Sequence, residues 1–363
     1  MRPNTIIASA LRLATVTYAS SAPVYTSPNP TTHINYTVVP GIFQQDDAAT
    51  NASTFNFTAS NFGLIDRSYP SDSACAGSRG SKNATQWQKI THYITTLNND
   101  YDAKRNGERY ALLFLGRHGE GYHNVAESYY GTPAWNCYWS ELDGNGTAVW
   151  TDAHLTPTGQ EQALSVNRFW NSLITKEKTT PPESYYTSPM YRCLETSNLT
   201  FSGLPLPKKT PFLPTIKELF REGISAHTCD RRSNKTYLAE NFPKYKFEEG
   251  FVEFDPFWQE MHSEPSVDQD IRSKIVLDDV FTNDKSTYIS VTAHSGEIGS
   301  LLRVLGHRAF GLSTGAAIPV LVKATTVRGE SPVTTTIPYP AQKTCALPPT
   351  IRDPSCNDCS CCS

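Results

Sequence analysis

The sequence predicts an α/β fold, a three-layer αβα sandwich with a mostly parallel central sheet. Over residues 110–325, apolar and β-branched runs that indicate buried strands alternate with amphipathic stretches that indicate helices. This alternation is typical of a parallel sheet that has helices on both faces and right-handed crossovers. Polar side chains of complementary chemistry also follow three of the strand–turn units, and α/β sheets place reactive groups at the carboxyl ends of their strands.

The elements of this fold follow one another along the chain. Helices are predicted by apolar residues at helical spacing, and the helix that starts at Pro157 has Thr156 as a favourable N-cap. Strands are predicted by short apolar runs that Gly or polar residues bound. The predicted helices span 85–98, 157–173, 267–281 and 297–305, and a further helix begins at Ser188-Pro189 and carries Arg192. The predicted strands span 110–115, 184–187, 216–220, 287–292 and 317–323.

Length and composition limit the organisation of the chain and its partners. The 363 residues are enough for one large domain or two ordinary ones. The predicted division is a signal peptide at 1–22, an N-terminal extension lying on the main domain at 23–85, the main domain at 86–335 and a Cys-rich tail at 336–363. A formal net charge of −3 without a basic block argues against nucleic acid as a partner. No apolar run reaches the ~20 residues that a membrane span needs.

The N-terminus predicts secretion. Arg2 precedes a moderately apolar stretch at 6–18, and small residues follow at 19–22, which is the order of a secretory signal peptide, although Arg12 interrupts the apolar stretch. Seven N-x-Ser/Thr sequons follow, at Asn35, Asn51, Asn56, Asn83, Asn145, Asn198 and Asn234. Because such sites are glycosylated in secreted chains, the expected location is extracellular, with the cytoplasm as the alternative.

Nine cysteines fall into two groups. Four are spread through the body of the chain, at Cys75, Cys137, Cys193 and Cys229, and five lie in the last nineteen residues. In an oxidising compartment the first group is expected to form two disulfides, and the second group two more with one thiol left over. A Cys-x-x-Cys pair at 356–359 could also indicate zinc, but no His lies nearby to complete the ligand set. Disulfides or a poorly ordered tail are therefore favoured over a metal site.

Three strand–turn–helix units end in residues that suit a phosphoryl group. The first unit offers Arg117, His118 and Asn124, the second offers Arg192, and the third offers His294 directly before a helix start. If the strands are neighbours, these residues meet at one edge of the sheet and form an anion pocket. Arg side chains bind phosphate oxygens in pairs, N–H groups at a helix N-terminus add positive potential, and a His in such a pocket can attack phosphorus.

The leaving alkoxide of such a reaction needs a proton. A nearby carboxyl group supplies it if its pKa is high enough for the group to be protonated. Glu222, at the end of the predicted strand 216–220, is the first candidate, and Glu120 and Glu297 also lie on loops near the pocket. Residue chemistry alone does not choose among the three.

Two other stretches have two interpretations each. The aromatic residues of 125–150 could line a substrate pocket or pack under a long loop. His227, Asp230, Arg231 and Arg232 could extend the pocket toward the distal group of the substrate, or they could form a structural salt-bridge network. The network is slightly favoured.

The stretch Leu-Gly-Arg-His-Gly-Glu at 115–120, together with Asn124, resembles the Arg-His-Gly signature of the histidine phosphatase superfamily. Further matches occur in the order of the family, at 155–160, 188–196, Arg221-Glu222 and 293–296. The resemblance covers roughly residues 108–325 and implies the phosphoglycerate-mutase-like fold. The stretch 222–233 is similar to the fungal phosphoglycerate-mutase-like proteins in particular.

The resemblance also implies a role for each matched residue, and it makes 86–335 the histidine phosphatase-like catalytic domain. His118 would be the phosphorylated nucleophile, Glu222 the proton donor, and His294 a catalytic residue that helps to hold the phosphoryl group. The implied substrate-binding residues are Arg117, Gly119, Asn124, Arg192 and Ser295. The partner would be a small-molecule phosphate ester, and the family needs no metal or organic cofactor.

Departures from the family pattern favour a phosphatase over a mutase. The acid-phosphatase and phytase branch of the superfamily has further Arg and Pro residues after its signature and an Asp after its second His. This chain has other residues at 120–123, and Ser295 where that Asp stands, so it fits the mutase-like branch better. Mutases usually carry Ser where Gly121 stands and Trp where His123 stands. The expected function is therefore hydrolysis of a phosphomonoester. The alternatives are a phosphomutase, a biosynthetic (di)phosphate phosphatase, and a secreted glycoprotein that uses the pocket only for binding.

Overall fold

A computed structural model of the chain describes residues 31–72, 84–329, 339–353 and 358–359. Within these residues seven strands form one sheet and nine α-helices surround it. The strands are β1 (Thr32–Val38), β2 (Glu108–Arg117), β3 (Ser184–Thr187), β4 (Thr215–Ile216), β5 (Lys246–Phe247), β6 (Tyr288–Ala293) and β7 (Ala317–Arg328). The helices are α1 (Gln86–Asn99), α2 (Tyr101–Arg105), α3 (Tyr122–Tyr130), α4 (Thr132–Cys137), α5 (Pro157–Ser172), α6 (Tyr191–Phe201), α7 (Lys235–Asn241), α8 (Ser266–Asn283) and α9 (Ser295–Leu305).

The sheet has the strand order β1-β7-β2-β6-β3-β4-β5. Strands β2, β6, β3, β4 and β5 run parallel. β7 pairs antiparallel with β2, and β1 pairs antiparallel with β7, so β1 runs in the direction of β2. In the register of β2 and β6, Arg117 lies opposite Ala293. The loops that follow β2, β6 and β3 therefore leave the sheet at one edge, side by side, as an anion pocket built from all three requires.

Alternate side chains of β2 face two helical layers. Leu113 and Leu115 belong to one core cluster with α8 and α9, whereas Leu112 and Phe114 belong to the opposite cluster with α1 and α5. All four are at most 2% exposed, and burial of each such side chain contributes about 1.5–3 kcal/mol to stability. The predicted three-layer αβα sandwich with a mostly parallel sheet is confirmed.

One predicted strand is wrong in extent. Only Thr215–Ile216 forms β4, and the chain then turns into a short 3-10 helix at Glu218–Phe220 instead of continuing as a strand to 220. Glu218 is buried, and its carboxylate binds Arg221 at 3.3 Å and Arg232 at 2.9 Å. Because a buried carboxylate needs such partners, the polar contacts and not the apolar pattern determine the path of the chain here.

The segment before α1 contributes to both the sheet and the core. β1 pairs with β7 as far as Arg328, so the last strand extends beyond its predicted end at 323. Phe43 and Phe62 are completely buried and pack with Trp87 of α1. The segment predicted to be an N-terminal extension thus supplies an edge strand, and the residues after it help to cover one face of the sheet.

The disulfide pattern differs from the expected one. Cys137, at the end of α4, is joined to Cys359, which is therefore not free to bind zinc, and Cys345 is also in a disulfide. Cys193 and Cys229 are buried free thiols, so the expectation that the cysteines of the body pair with one another is wrong for these three. Each free thiol contacts polar side chains of the candidate site instead of another thiol. Outside the described residues lie Cys75, Cys356, Cys361 and Cys362.

The Cys137–Cys359 disulfide should stabilise the folded protein. We expect Cys137→Ser to lower the free energy of unfolding of the oxidised protein by about 2–4 kcal/mol, because the cross-link spans 222 residues and restricts the unfolded chain. Urea denaturation measures this difference, and the two proteins should unfold alike once their disulfides are reduced. Equal stability of the two oxidised proteins would contradict the prediction.

The sequons within the described residues have accessible side chains. All six asparagines are exposed: Asn35, Asn51, Asn56, Asn145, Asn198 and Asn234. Asn83 and the predicted signal peptide at 1–22 lie outside the described residues. Secretion stays a prediction, which would be contradicted if a secreting eukaryotic host kept the protein inside the cell without any N-glycan. Among the helices that the structure describes, none has the length and apolar character to cross a membrane.

Candidate active site

The first part of the site is the loop at 117–120, which follows the buried strand β2. The N-terminus of α5 packs directly onto this loop. A Cβ atom on Gly119 would lie 2.3 Å from the carbonyl oxygen of Gly159, and one on Gly159 would lie 2.1 Å from that of Glu120. Thr156, the N-cap of α5, donates its hydroxyl to Glu120 Oε1 at 2.7 Å. The motif at 155–160 therefore holds the loop in place, and it can do so only because both glycines lack side chains.

Substitution of Gly159 should loosen this contact. We expect Gly159→Ala to lower the free energy of unfolding by about 1–3 kcal/mol, because the new methyl group has to push the loop backbone away. Gly311→Ala is the matched control, since a Cβ atom there meets nothing within 4 Å. Chemical denaturation compares the two variants, and equal stability of both with the wild type would contradict the prediction.

His118 lies in this loop as a neutral, buried ring. Its Nδ1 is 2.7 Å from the carbonyl oxygen of Gly119. A carbonyl group only accepts, so Nδ1 carries the proton of the neutral ring and Nε2 carries the lone pair. Burial, followed by the charges of Arg192 and Arg117, holds the pKa of His118 well below its ordinary value of 6.5. The ring therefore presents a nucleophilic nitrogen at neutral pH.

Arg192 is the buried cation of the site, with a side chain that is 1% exposed. Its guanidinium donates to the carbonyl oxygen of Cys229 at 2.6 Å and to Asp230 Oδ1 at 3.1 Å. Its Nε–H donates to Nδ1 of His294 at 3.3 Å. Burial works against the charge, but the Asp230 carboxylate raises the pKa of Arg192, so the guanidinium stays ionised.

His294 comes from the third strand–turn–helix unit, as the N-cap of α9. The centroid of its ring is 5.1 Å from that of His118, and its Nε2 is 2.7 Å from Ser188 Oγ. Burial, followed by the charge of Arg192, holds the pKa of His294 well below 6.5. Ser188 is absent from the residues predicted for the site, because a Ser before Pro is an ordinary signal for a helix start. Its contact with a residue 106 positions away leaves no local pattern.

Arg117 and Asn124 keep hydrogen-bond donors available for a ligand. Arg117 donates one N–H to a backbone carbonyl at 2.7 Å, while its Nε is buried and has no hydrogen-bond partner among the described residues. Asn124 accepts the N–H of Gly121 with its Oδ1 at 2.9 Å, which leaves its NH₂ group as a donor. His123 is buried, with its ring centroid 5.3 Å from that of His118. A buried donor without a partner costs free energy, so Arg117 is suited to receive an anionic oxygen here.

Glu222 lies against the N-terminus of α9. Its carboxylate accepts the backbone N–H groups of Gly223, Gly296 and Glu297, at 2.9 Å, 3.2 Å and 3.0 Å. A Cβ atom on Gly296 would lie 2.4 Å from Glu222 Oε1, so this approach needs glycine. Burial, followed by the charge of Asp230, raises the pKa of Glu222 above 4.5, although the N–H donors oppose this shift. A carboxyl group in this state is suited to proton transfer.

The other two candidate acids have different partners. Glu120 accepts the hydroxyl of Thr156. Glu297 is completely buried and pairs with Arg272 at 3.2 Å, within the interior below α9. Ser295, predicted to bind substrate, is the exposed first residue of α9.

Asp230, Arg231 and Arg232 each form a salt bridge, as the network that the sequence slightly favours requires, whereas the ring of His227 packs against Trp135. Arg231 and Arg232 each pair with an acidic residue, at 2.7 Å and 2.9 Å, and neither of these partners is Glu222. Asp230 differs from them because it binds Arg192. The network therefore reaches the site through one carboxylate, which the residue pattern alone did not single out.

One group of side chains has the composition of a metal site. His227, Cys229 and Asp230 bring ligand atoms to within 4.8 Å of one another. Both oxygens of Asp230, however, already accept hydrogen bonds, from Arg192 at 3.1 Å and from Ser225 at 2.8 Å. Burial raises the pKa of the Cys229 thiol, so the thiolate that a metal needs is disfavoured. The group fits a support for Arg192 better than a set of metal ligands.

The aromatic insertion packs largely on itself. Tyr130 stacks on Trp139 with ring centroids 4.1 Å apart, and Trp135 meets Trp150 at 5.5 Å. Together with Cys229 these residues belong to a small separate core cluster. The insertion therefore supports the backbone segment that binds Arg192.

Comparisons with known proteins extend the motif matches. No protein-family model matches the chain. It is 48% identical to a probable phosphoglycerate mutase of Arthroderma benhamiae. The alignment spans 293 residues and covers 81% of this chain and 85% of that protein. It is 31% identical over 259 residues to the probable phosphoglycerate mutase PMU1 of Saccharomyces cerevisiae, with coverage of 66% and 85%. Among solved structures, the mycobacterial glucosyl-3-phosphoglycerate phosphatase aligns with a TM-score of 0.34 and 14% identity, over 62% of this chain and all of that one.

The two fungal relatives match this chain over most of their own length. The identity of 48% with the first of them extends far beyond the short motifs of the site. The chain therefore belongs to the phosphoglycerate-mutase-like proteins of the histidine phosphatase superfamily, a group of phosphatases and phosphomutases.

Proposed function

We propose that this protein is a phosphatase that hydrolyses a small phosphomonoester through a phosphohistidine intermediate at His118. One observation carries the proposal: the Nδ1–H of His118 is bound to a carbonyl group, which leaves a nucleophilic Nε2 beside the cations Arg117 and Arg192. Fixed guanidinium groups stabilise the charge that develops on a transferring phosphoryl group. Glu222, with its raised pKa, supplies the acid that the leaving group needs.

In the first step, the lone pair of His118 Nε2 attacks phosphorus. The N–P bond forms, and the P–O bond to the leaving alcohol breaks with its electron pair on the alcohol oxygen. Arg117, Arg192 and His294 hold the phosphoryl oxygens in this step. The alcohol oxygen takes the proton of Glu222 and leaves as a neutral alcohol.

In the second step, water attacks the phosphorus of the phosphohistidine. The N–P bond breaks and its electron pair returns to Nε2 of His118. The Glu222 carboxylate accepts a proton from the water, which restores the protonated acid and releases orthophosphate. Each turnover consumes one ester and one water, and it needs no other reactant.

The pH dependence of kcat/KM should be bell-shaped. The acid limb reports protonation of His118, whose pKa is lowered, so it should lie below pH 6.5. The alkaline limb reports loss of the proton from Glu222, whose pKa is raised, so it should lie above pH 4.5. A profile for an aryl phosphate, measured wherever the protein stays folded, tests this. An acid limb above pH 6.5 would contradict the neutral nucleophile.

The phosphohistidine intermediate is the direct test of the proposal. The protein is mixed with an aryl phosphate that carries a radioactive phosphorus label, and the reaction is stopped within one turnover. We expect labelled protein that loses its label in acid and keeps it in base, together with continued release of orthophosphate into water. If the wild type neither forms this intermediate nor hydrolyses any ester of a broad panel, the proposal is wrong.

A phosphomutase is the second candidate, because both fungal relatives carry that name. The residues Gly121 and His123 favour the phosphatase, since mutases usually carry Ser and Trp at these two positions. Incubation with 3-phosphoglycerate and a catalytic amount of the bisphosphate separates the two. A mutase moves the phosphoryl group to the neighbouring hydroxyl without net release of orthophosphate, whereas a phosphatase releases it.

A further inference from the structure

Arg272 of α8 holds the stretch of backbone that carries Glu222. Its Nη1 donates to the carbonyl oxygens of Leu219 and Arg221 at 2.8 Å and 2.9 Å, and its Nη2 donates to that of Glu222 at 3.1 Å. The side chain of Arg272 is completely buried. Because a planar guanidinium presents its N–H groups in a fixed arrangement, these bonds set the position of the backbone at 219–222 relative to α8.

Glu264 keeps Arg272 in this orientation. Its carboxylate accepts the Nε–H and an Nη2–H of Arg272 at 3.0 Å and 2.8 Å, which makes a bidentate pair of two completely buried side chains. The same carboxylate accepts the backbone N–H of Ile224 at 3.2 Å, and the backbone N–H of Glu264 donates to the carbonyl oxygen of Ile224 at 2.7 Å. The chain is therefore held on both sides of Glu222.

Arg272 also contacts the helix that binds the carboxylate of Glu222. Its Nη1 lies 3.2 Å from one carboxylate oxygen of Glu297, and the other oxygen of Glu297 accepts the hydroxyl of Ser273 at 2.9 Å. The backbone N–H of Glu297 donates to Glu222 Oε1 at 3.0 Å. Glu222 is thus fixed twice, since Arg272 binds its backbone directly and contacts the side chain of a residue that binds its carboxylate.

We infer that Arg272 is a positioning residue for the proton donor: with Glu264 and Glu297 it joins the backbone of Glu222 and the N-terminus of α9 into one unit, which holds the Glu222 carboxyl group in place for proton transfer to the leaving alcohol. The inference rests on the proposed function, because it takes Glu222 as the general acid. Arg272 is buried in the interior, so it acts on the reaction only through the residues that it holds.

Arg272→Lys tests this role. Lys keeps the positive charge, but one ammonium group cannot replace the bonds of the guanidinium to three carbonyl oxygens and a carboxylate, so Glu222 should shift. We expect kcat/KM to fall about 10- to 100-fold for an alkyl phosphate, whose alkoxide needs the proton, because general acid catalysis depends on the exact position of the acid. For p-nitrophenyl phosphate, whose leaving group is stable as an anion, the fall should be much smaller.

Arg109→Lys is the matched control. Arg109 lies at the start of β2, away from the catalytic loop at the end of this strand, and it also donates to three backbone carbonyl oxygens, within 281–286. Its replacement should leave the ratio of the two kcat/KM values unchanged, because loss of stability alone does not distinguish the two esters.

A double variant shows whether Arg272 acts through Glu222. In the Glu222→Gln background no proton remains to be positioned, so Arg272→Lys should cause no further loss that is selective for the alkyl ester. If Arg272→Lys does not fold, Glu264→Gln takes its place, since it keeps the size of the side chain, removes the charge that orients Arg272 and should cause a selective loss in the same direction.

Hydrogen exchange of the wild type needs no variant. The backbone N–H groups that bind the Glu222 carboxylate, those of Gly223, Gly296 and Glu297, should exchange at least about 10²-fold more slowly than in an unfolded chain if the network holds Glu222 in place. Exchange of these groups at the rate of an unfolded chain would overturn the inference.

Two kinetic outcomes would also overturn it. The first is an equal loss for both esters in Arg272→Lys, and the second is the same ester-selective loss when the Glu222 carboxyl group is already absent. The single variant Glu222→Gln decides the proposed function separately. If it shows no ester-selective loss, Glu222 is not the general acid, whereas a selective loss in Glu222→Gln that is missing in Arg272→Lys contradicts only the role of Arg272.

Discussion

Replacement of His118 by Asn should lower kcat/KM for an aryl phosphate by about 10⁴-fold or more, the scale on which loss of a covalent nucleophile acts in other enzymes. The Asn amide can still donate to the Gly119 carbonyl oxygen, as Nδ1–H of His118 does at 2.7 Å, so the loop keeps its local hydrogen bond. What the variant loses is Nε2, and with it the N–P bond of the intermediate. Steady-state kinetics measures the loss, and rapid-quench labelling should show no phosphoprotein.

The matched control is His33→Asn, because His33 lies on β1 at the edge of the sheet, away from the loops that follow β2 and β6. It should retain wild-type turnover and labelling. Turnover of His118→Asn near that of the wild type would instead mean that the phosphoryl group passes directly to water. In that case Arg117 and Arg192 would still form an anion pocket, but His118 would not be its nucleophile.

The fold could be predicted from the sequence because a local sequence pattern marks each of its central strands and helices. The run at 110–115 is apolar and short, and the structure has it inside β2. The helix that starts at Pro157 has both an N-cap residue and a favoured first residue, and it begins where these indicate. The strand predicted at 216–220 shows the limit of such rules, since the charged Lys217 and Glu218 interrupt its apolar residues and the buried ion pairs of Glu218 end the strand early.

The candidate site could be predicted only as far as its residues resemble a known motif or lie directly after a strand. Ser188 and Asp230 act through contacts with His294 and Arg192 that join distant parts of the chain, and neither contact has a local signature. One weak indication for Asp230 was present in the sequence, because it is the only acidic residue in the basic stretch 227–232, which follows Glu222. The free thiol Cys193 could not be told from a disulfide partner, because pairing depends on which side chains meet in space.

Replacement of Glu222 by Gln should slow the reaction by an amount that depends on the leaving group. Gln keeps the size of the side chain and the acceptor for the N–H groups of α9, at 3.0–3.2 Å in the wild type, but it has no proton to give. For an alkyl phosphate, whose alkoxide needs that proton, we expect kcat/KM, which reports the transfer to His118 and not the later hydrolysis, to fall about 10²–10⁴-fold. For p-nitrophenyl phosphate, whose leaving group is stable as an anion, the fall should be much smaller, and the alkaline limb of the pH profile should disappear.

Glu120→Gln is the control that separates Glu222 from its rival. Glu120 accepts the hydroxyl of Thr156 and holds the catalytic loop, so its replacement should affect both esters alike through the position of the loop. A selective loss with the alkyl ester in Glu120→Gln, or an equal loss with both esters in Glu222→Gln, would transfer the role of general acid away from Glu222. The ratio of kcat/KM for the alkyl phosphate to kcat/KM for p-nitrophenyl phosphate thus identifies the proton donor. A change in loop position or in phosphate binding lowers both values and leaves their ratio unchanged.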